Sequence, residues 1–255
     1  MPPITQATFT WLFKDAEWKN KFLIGSLFIL AGTFIPIIGW LGHFAVYGYC
    51  LIMVRAVIRG DAPSLPTWDR FGELFVDGFK SGLAAIGYLL PGIIAMFCAY
   101  GSMFGAIMVD VIVSSTVRRG SDFFPPAFLI GYAGFFLFFA VAMVLFLVTV
   151  IPMAIAVGQY ARTGEIGAGY RFDEVWRILR ANVGGFVIAL FMSWAIAIGL
   201  SMLLQIVYFT IILCCLLPFL LAPISFYMTM MWSYLFGMAY RGGAVKAGIS
   251  IAAIE

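Results

Sequence analysis

The sequence predicts an all-α membrane protein with about six transmembrane helices in three hairpins, each preceded by an interfacial amphipathic helix. Three observations carry this expectation. The 255-residue chain is 64% hydrophobic and 11% charged, with a mean hydropathy of +1.05; soluble domains carry about 25% charged residues. Its apolar runs match or exceed the ~20 residues needed to cross a hydrocarbon core. Short stretches mixing charges with Trp and Phe interrupt those runs, as expected of segments at a membrane surface. The net charge of +3 is too small to argue for a nucleic-acid partner.

The elements follow in order. Residues 1–21 are polar and aromatic, with Trp11, Phe13 and Trp18 among Lys14, Asp15, Glu17 and Lys19, and suggest an irregular interfacial helix. Phe22 to Ile58 reaches about 55 Å as helix, too long for one ~30 Å core and enough for two short spans. Pro36 and the Gly39–Gly42 stretch supply a turn between them, and one tilted or broken helix is the competing reading. The run from Phe22 follows Lys14, Lys19 and Lys21 but lacks a small-x-small cleavage site, so it reads as an uncleaved first span.

Arg55 to Lys80 closes one span and opens the next. Pro63 and Pro66 hold DAPSLP extended, and Thr67 is the expected N-cap with Asp69 in the first turn. Trp68, Phe71, Phe75 and Phe79 then follow helical spacing, opposite Asp69, Glu73, Asp77 and Lys80. Arg70–Glu73 and Asp77–Lys80 are expected ion pairs. Ser81 to Val117 is the third span, interrupted by Pro91–Gly92, with Asp110, Arg118, Arg119 and Asp122 at its exit. Phe123–Pro126 is an aromatic loop, and Ala127 to Val157 is a Phe-dense fourth span with Pro152 near its end.

Gln159 to Asn182 is the second polar stretch. Its glycines predict a loop, and FDEVWRILRAN predicts an amphipathic helix with Phe172, Val175, Trp176 and Leu179 on one face and an Asp173–Arg177 pair. Val183 to Tyr240 carries no formal charge and is long enough for two spans, broken near Leu217–Pro223. A short tail follows Gly242. The whole chain is expected to be one polytopic domain with weak repeats over 8–60, 67–164 and 171–243. Each repeat opens on an aromatic amphipathic segment and closes on a basic-glycine exit: Arg59-Gly60, Arg162-Thr163-Gly164 and Arg241-Gly242.

At LPTWDRFGELFVDGFK the chain resembles an uncharacterised family of archaeal and bacterial integral-membrane proteins, a domain of unknown function. The shared pattern is Leu65-Pro66-x-Trp68-Asp69 followed by Leu74-Phe75-x-Asp77-Gly78. The likeness extends along almost the whole chain, including the Phe172–Asn182 helix and the SYLFGMAYRGG exit. The resemblance implies a multi-span helical protein and no activity, so no catalytic residue comes with it.

Candidate chemistry is sparse. His43 is the sole histidine. It could ligate one haem or chlorophyll-like macrocycle, or hydrogen-bond to water or backbone. The acids of 61–77 could hold a metal, but their helical spacing and basic neighbours fit a solvated, ion-paired face better. No metal site and no catalytic set is expected. The four cysteines, Cys50, Cys98, Cys214 and Cys215, lack CxxC spacing and read as packing residues. Asp110 and Gln205, with Ser201 one turn before Gln205, are the candidates for a polar path, and interhelical hydrogen bonding is the commoner role. Intramembrane Pro and Gly could mark broken transport helices or plain kinks.

Three function classes stand. The expected one is a non-catalytic scaffold or accessory subunit, contacting lipid, a carotenoid- or chlorophyll-type pigment, or other membrane subunits. The alternative is a small-molecule or lipid transporter, and an enzyme comes third. The expected contact residues are Trp68, Phe71, Phe75, Phe79, Phe172, Trp176, Arg177 and Arg180. These helices offer a platform for anionic lipid or a partner, though their acids nearly balance their bases. With six spans, all 15 lysines and arginines except Arg118 and Arg119 fall on one side, which predicts a prokaryotic inner-membrane protein with both termini cytoplasmic.

Overall fold

The computed structural model describes residues 6–61, 64–116, 126–208 and 216–251. Among the described residues the chain is helical, with no strand. Helix α1 (Gln6–Thr10) continues as a 3-10 turn, Trp11–Lys14. The long helices are α2 (Trp18–Phe34), α3 (Pro36–Arg59), α4 (Phe71–Thr116), α5 (Pro126–Thr163), α7 (Val183–Tyr208) and α8 (Leu217–Lys246). Between α5 and α7 lie a 3-10 turn, Ile166–Tyr170, and the short helix α6 (Phe172–Ala181).

Five helices contain stretches long and apolar enough to cross a membrane: Leu41–Arg59, Phe71–Val113, Ala127–Thr163, Val183–Gln205 and Leu217–Lys246. Helix α2 has 17 residues, about 26 Å of rise, at the lower edge of a crossing length. The protein is therefore a multi-pass, all-α membrane protein.

The contacts divide the chain into two compact units, one of residues 1–85 and 154–255 and one of residues 86–153. In the first, α2, α3 and α8 pack on one another, with α6 and α7 against α8. Its core joins Leu12, Tyr49, Met53, Phe226 and Met230, all buried. Trp11 and Leu12 seat the N-terminal segment in that core, Trp11 with its ring 5.3 Å from Tyr234. Helices α3 and α4 cross closely, because a Cβ on Gly48 would run into the Leu74 carbonyl and one on Gly78 into the Phe44 carbonyl. Small residues permit such approach where no hydrophobic drive joins helices in lipid.

The second unit is the hairpin between the far half of α4 and the first half of α5. Ser102 Oγ lies 2.7 Å from the Ala99 carbonyl and 3.4 Å from that of Gly131, and the Tyr100 and Phe135 rings meet at 5.8 Å. Many of its side chains are exposed: Phe97 is 74% exposed and Ile130 73%.

Several local expectations shift. The first hairpin turns at a single extended residue, Ile35 (φ −128°, ψ 92°), and Pro36 opens α3 instead of forming the turn. A residue before proline avoids helix, while proline itself suits a first helical position. Gly39–Gly42 lies inside α3. Pro91 and Pro152 sit within continuous helices, where neighbouring helices and local adjustment absorb the lost backbone bond. The amphipathic segment expected from Trp68 is continuous with α4 and begins at Phe71. The break expected near Leu217–Pro223 matches the start of α8, with Pro218 in its first turn. Pro63, Arg118, Arg119, Asp122, Phe123–Pro125, Cys214 and Cys215 lie outside the described residues.

Candidate functional site

The polar groups of the first unit gather at one end of its bundle, where α3 and α5 finish, α4 and α7 begin and α8 finishes. Arg55, one turn before the end of α3, places Nη1 2.7 Å from Asp77 Oδ2 of α4. The Tyr160 hydroxyl of α5 donates to the other oxygen of Asp77 at 3.1 Å. One turn of α5 links this trio to a second cluster. Gln159 is fully buried; its amide nitrogen donates to Glu174 Oε2 at 3.2 Å, and its carbonyl accepts from Arg162 Nη2 at 2.8 Å. The Tyr240 hydroxyl approaches the same carbonyl at 3.5 Å.

Arg162 also pairs with Glu174 at 3.1 Å and donates to the Ser250 carbonyl at 3.3 Å, tying down the C-terminal tail. Arg171 joins Glu174 at 3.5 Å and Glu165 at 3.3 Å. Asn182, buried between α6 and α7, donates to the Ala239 carbonyl at 2.9 Å and accepts from Lys246 Nζ at 2.9 Å. The Nε atoms of Arg55 and Arg162 are buried without a partner. Buried charges persist when paired and hydrogen-bonded, and here the pairs bind α3 to α4, α5 to α6, and the α6–α7 junction to α8. The arrangement is a set of charged clamps between helix ends.

A second clamp is built on the LPTWD segment. Leu65 is buried, and the Pro66 carbonyl accepts from the Tyr49 hydroxyl at 2.9 Å. Trp68 stacks on Tyr49 at 4.2 Å and donates from its indole to the Lys21 carbonyl at 2.9 Å. Lys21 Nζ in turn reaches the Leu65 carbonyl at 3.0 Å and Asp15 at 2.9 Å. The Lys21 ammonium holds the Asp15 carboxyl below its ordinary value. Trp68 is thus a half-buried strap over α2 and α3, not a helical residue facing the surface. Leu74, Asp77 and Gly78 are all engaged as well, in the core, the Arg55 pair and the α3 crossing.

The aromatics that follow Trp68 turn toward α2 and α3. Phe71 stacks on Phe28 at 5.2 Å, and Phe75 and Phe79 meet Phe44 at 5.8 and 5.3 Å. Phe71 and Phe79 stay partly exposed, while the fully covered face of α4 is Leu74, Gly78 and Ser81. The Arg70–Glu73 pair forms at 3.2 Å, but Asp77 binds Arg55 rather than Lys80. A 2.7 Å contact between half-buried groups outweighs an exposed pair worth tenths of a kcal/mol.

On α6 the covered residues are Val175 and Ile178, with Asn182 beyond them. Phe172 and Trp176 face outward, and the Arg180 guanidinium lies 4.8 Å over the Trp176 ring. Among the described residues no ion pair joins Asp173 to Arg177. His43 is exposed, its Nδ1 2.7 Å from the Gly39 carbonyl. Gln205 and Ser201 lie on the outside of α7, Ser201 donating to the Ile198 carbonyl at 2.8 Å. Asp110 is half-buried near the end of α4, in the second unit. Cys50 is buried, its thiol 3.5 Å from the Met230 sulfur, and Cys98 is exposed on α4.

Gln159, Tyr160, Tyr240 and Asn182 were not singled out from sequence. The available signal was position: each polar group lies within one turn or so of a basic helix exit.

No curated protein and no solved structure matches the chain. A family model described as "Protein of unknown function (DUF4013)" matches residues 31–209, which takes in α3 to α7 with both the Arg55–Asp77–Tyr160 and Gln159–Arg162–Glu174 clusters. The chain belongs to that family of proteins of unknown function, DUF4013.

Proposed function

We propose that the chain is a non-catalytic integral-membrane scaffold or accessory subunit, contacting lipid, pigment or partner helices. The observation that supports this most is the division of labour between its side chains. Most of the polar side chains covered at the charged end are spent on one another as clamps. The outward faces of α5 and α7 are broad and apolar, with Ile130, Phe136, Val148, Phe191 and Met202 all exposed. Such faces suit lipid tails or neighbouring helices. We further propose that LPxWD…LFxDG is a signature of this family in archaea and bacteria. The membrane is the prokaryotic inner membrane, with both termini and the charged end in the cytoplasm, because basic residues favour that side.

Native mass spectrometry after extraction in mild detergent tests the subunit reading. The expected result is a complex heavier than the chain and its lipids, containing at least one other membrane protein. Should the chain run alone and, reconstituted alone in liposomes, move a solute in a way that Gln205→Ala or Asp110→Asn abolishes, the transport reading would replace it.

A further inference from the structure

We propose that the outward face of α6 binds the headgroup of an anionic phospholipid, with Arg177 and Arg180 on the phosphate and Phe172 and Trp176 at the boundary with the acyl chains. Three observations meet there. The first is charge. Each half of α6 carries two formal charges, the acids Asp173 and Glu174 at its start and Arg177 and Arg180 toward its end. Glu174 turns inward to Arg162 and Arg171. Asp173 makes no ion pair with Arg177 among the described residues. The near balance of acids and bases in the sequence is therefore not the balance at the surface: the outer face is left with two arginines and one exposed acid.

The second is the apolar content of that face. Phe172, Trp176 and Arg180 recur every four residues, so they stand in one row. Phe172 is 66% exposed and Trp176 53%. The Arg180 guanidinium is parked over the Trp176 indole, leaving its N–H edge free for a phosphate. A soluble acidic partner would satisfy the arginines but not two large rings beside them. A phospholipid offers phosphate and hydrocarbon within one molecule.

The third is position. Only Asn182 separates α6 from the apolar helix α7, so α6 lies where that helix leaves the membrane. Lys246 is drawn to the same junction by its hydrogen bond to Asn182, adding a third cation at the end of α6. The inference rests on the membrane-surface placement proposed above, and it is independent of whether a protein partner exists.

The test uses the full chain extracted from membranes containing equal phosphatidylglycerol and phosphatidylcholine, with retained lipids counted by native mass spectrometry. Wild type is expected to retain phosphatidylglycerol preferentially. Each arginine near a surface contributes about fivefold in affinity for anionic lipid, so Arg177→Gln with Arg180→Gln should erase most of the preference. Arg70→Gln, an exposed and ion-paired arginine in the turn just before α4, should leave it intact. Equal melting temperatures of all three proteins in phosphatidylcholine alone establish that the folds are comparable. The proposal is overturned if the double variant retains as much phosphatidylglycerol as wild type, or if Arg70→Gln loses the preference equally. It is also overturned if inorganic phosphate displaces the lipid at concentrations similar to those of the lipid, because the rings would then contribute nothing. Co-purifying proteins in the same spectra report separately on the subunit reading.

Discussion

Asp77 ties three helices together. It receives Arg55 from α3 and Tyr160 from α5, so three helix ends meet on one carboxylate. Hydrogen bonds to a charged group contribute about 1.5–3 kcal/mol each. Asp77→Asn keeps the shape but removes the charge, and unfolding in detergent should show a loss of about 2 kcal/mol. Asp69→Asn, an exposed acid without an ion-pair partner among the described residues, should stay within about 0.5 kcal/mol of wild type. A double-mutant cycle with Arg55→Gln should return a coupling energy of at least about 0.5 kcal/mol, as expected for groups in contact; an additive result would mean that the pair stores nothing. The Asp15–Lys21 contact gives a pH prediction. Asp15 is held below its ordinary value of 3.8, first by the Lys21 hydrogen bond. Its contribution is therefore complete above that value and is lost as pH falls through the lower folded-state value. The melting-temperature gap between wild type and Asp15→Asn should stay constant from neutral pH down to about 5 and close in stronger acid. A gap that changes between pH 6 and 8 would point to another group.

At the scale of elements, α4 tells what the sequence could and could not say. The helical spacing of Phe71, Phe75 and Phe79 was legible, and so was the polar strip opposite. Periodicity does not say which face is covered, however, and the aromatic row turned out to meet Phe28 and Phe44 only in part. The covered face is the one with Leu74, Gly78 and Ser81, where the backbones of α3 and α4 come together. Trp68 fitted the same period but is held out of the helix by its stack on Tyr49 and its bond to Lys21, both long-range contacts that no local pattern reports. The close crossing makes a sharp prediction. Gly78→Leu should push α3 from α4 and sharply reduce the yield of folded protein in detergent. Gly72→Ala, one turn and a half earlier and with nothing near its Cβ position, should be neutral or gain up to about 1 kcal/mol. Equal behaviour of the two variants on size-exclusion chromatography would contradict the crossing. The sequence located helix α6 but not its contacts: Val175 is buried while Phe172 and Trp176 are exposed, Asp173 makes no ion pair with Arg177 among the described residues, and Glu174 turns inward to Arg162 at the end of another helix.

For the whole molecule, the gathering of charge was legible because membrane insertion writes it into composition: apolar runs, then a basic exit, repeated along the chain. The clamps were not legible, since Tyr160 and Asp77 stand 83 residues apart and nothing in either neighbourhood names the other. The contacts group residues 86–153 as a compact unit of their own. The proposal that most needs testing is that the charged clamps described at one end of the first unit face the cytoplasm. The most direct measurement is labelling with a membrane-impermeant maleimide in intact cells. Gly167, exposed in the turn between α5 and α6 with open space at its Cβ position, is replaced by Cys in a chain whose four native cysteines are Ala. The account predicts no labelling of Gly167→Cys in intact cells and full labelling once the membrane is opened. Labelling from outside the intact cell would place the clamped end in the wrong compartment and contradict it.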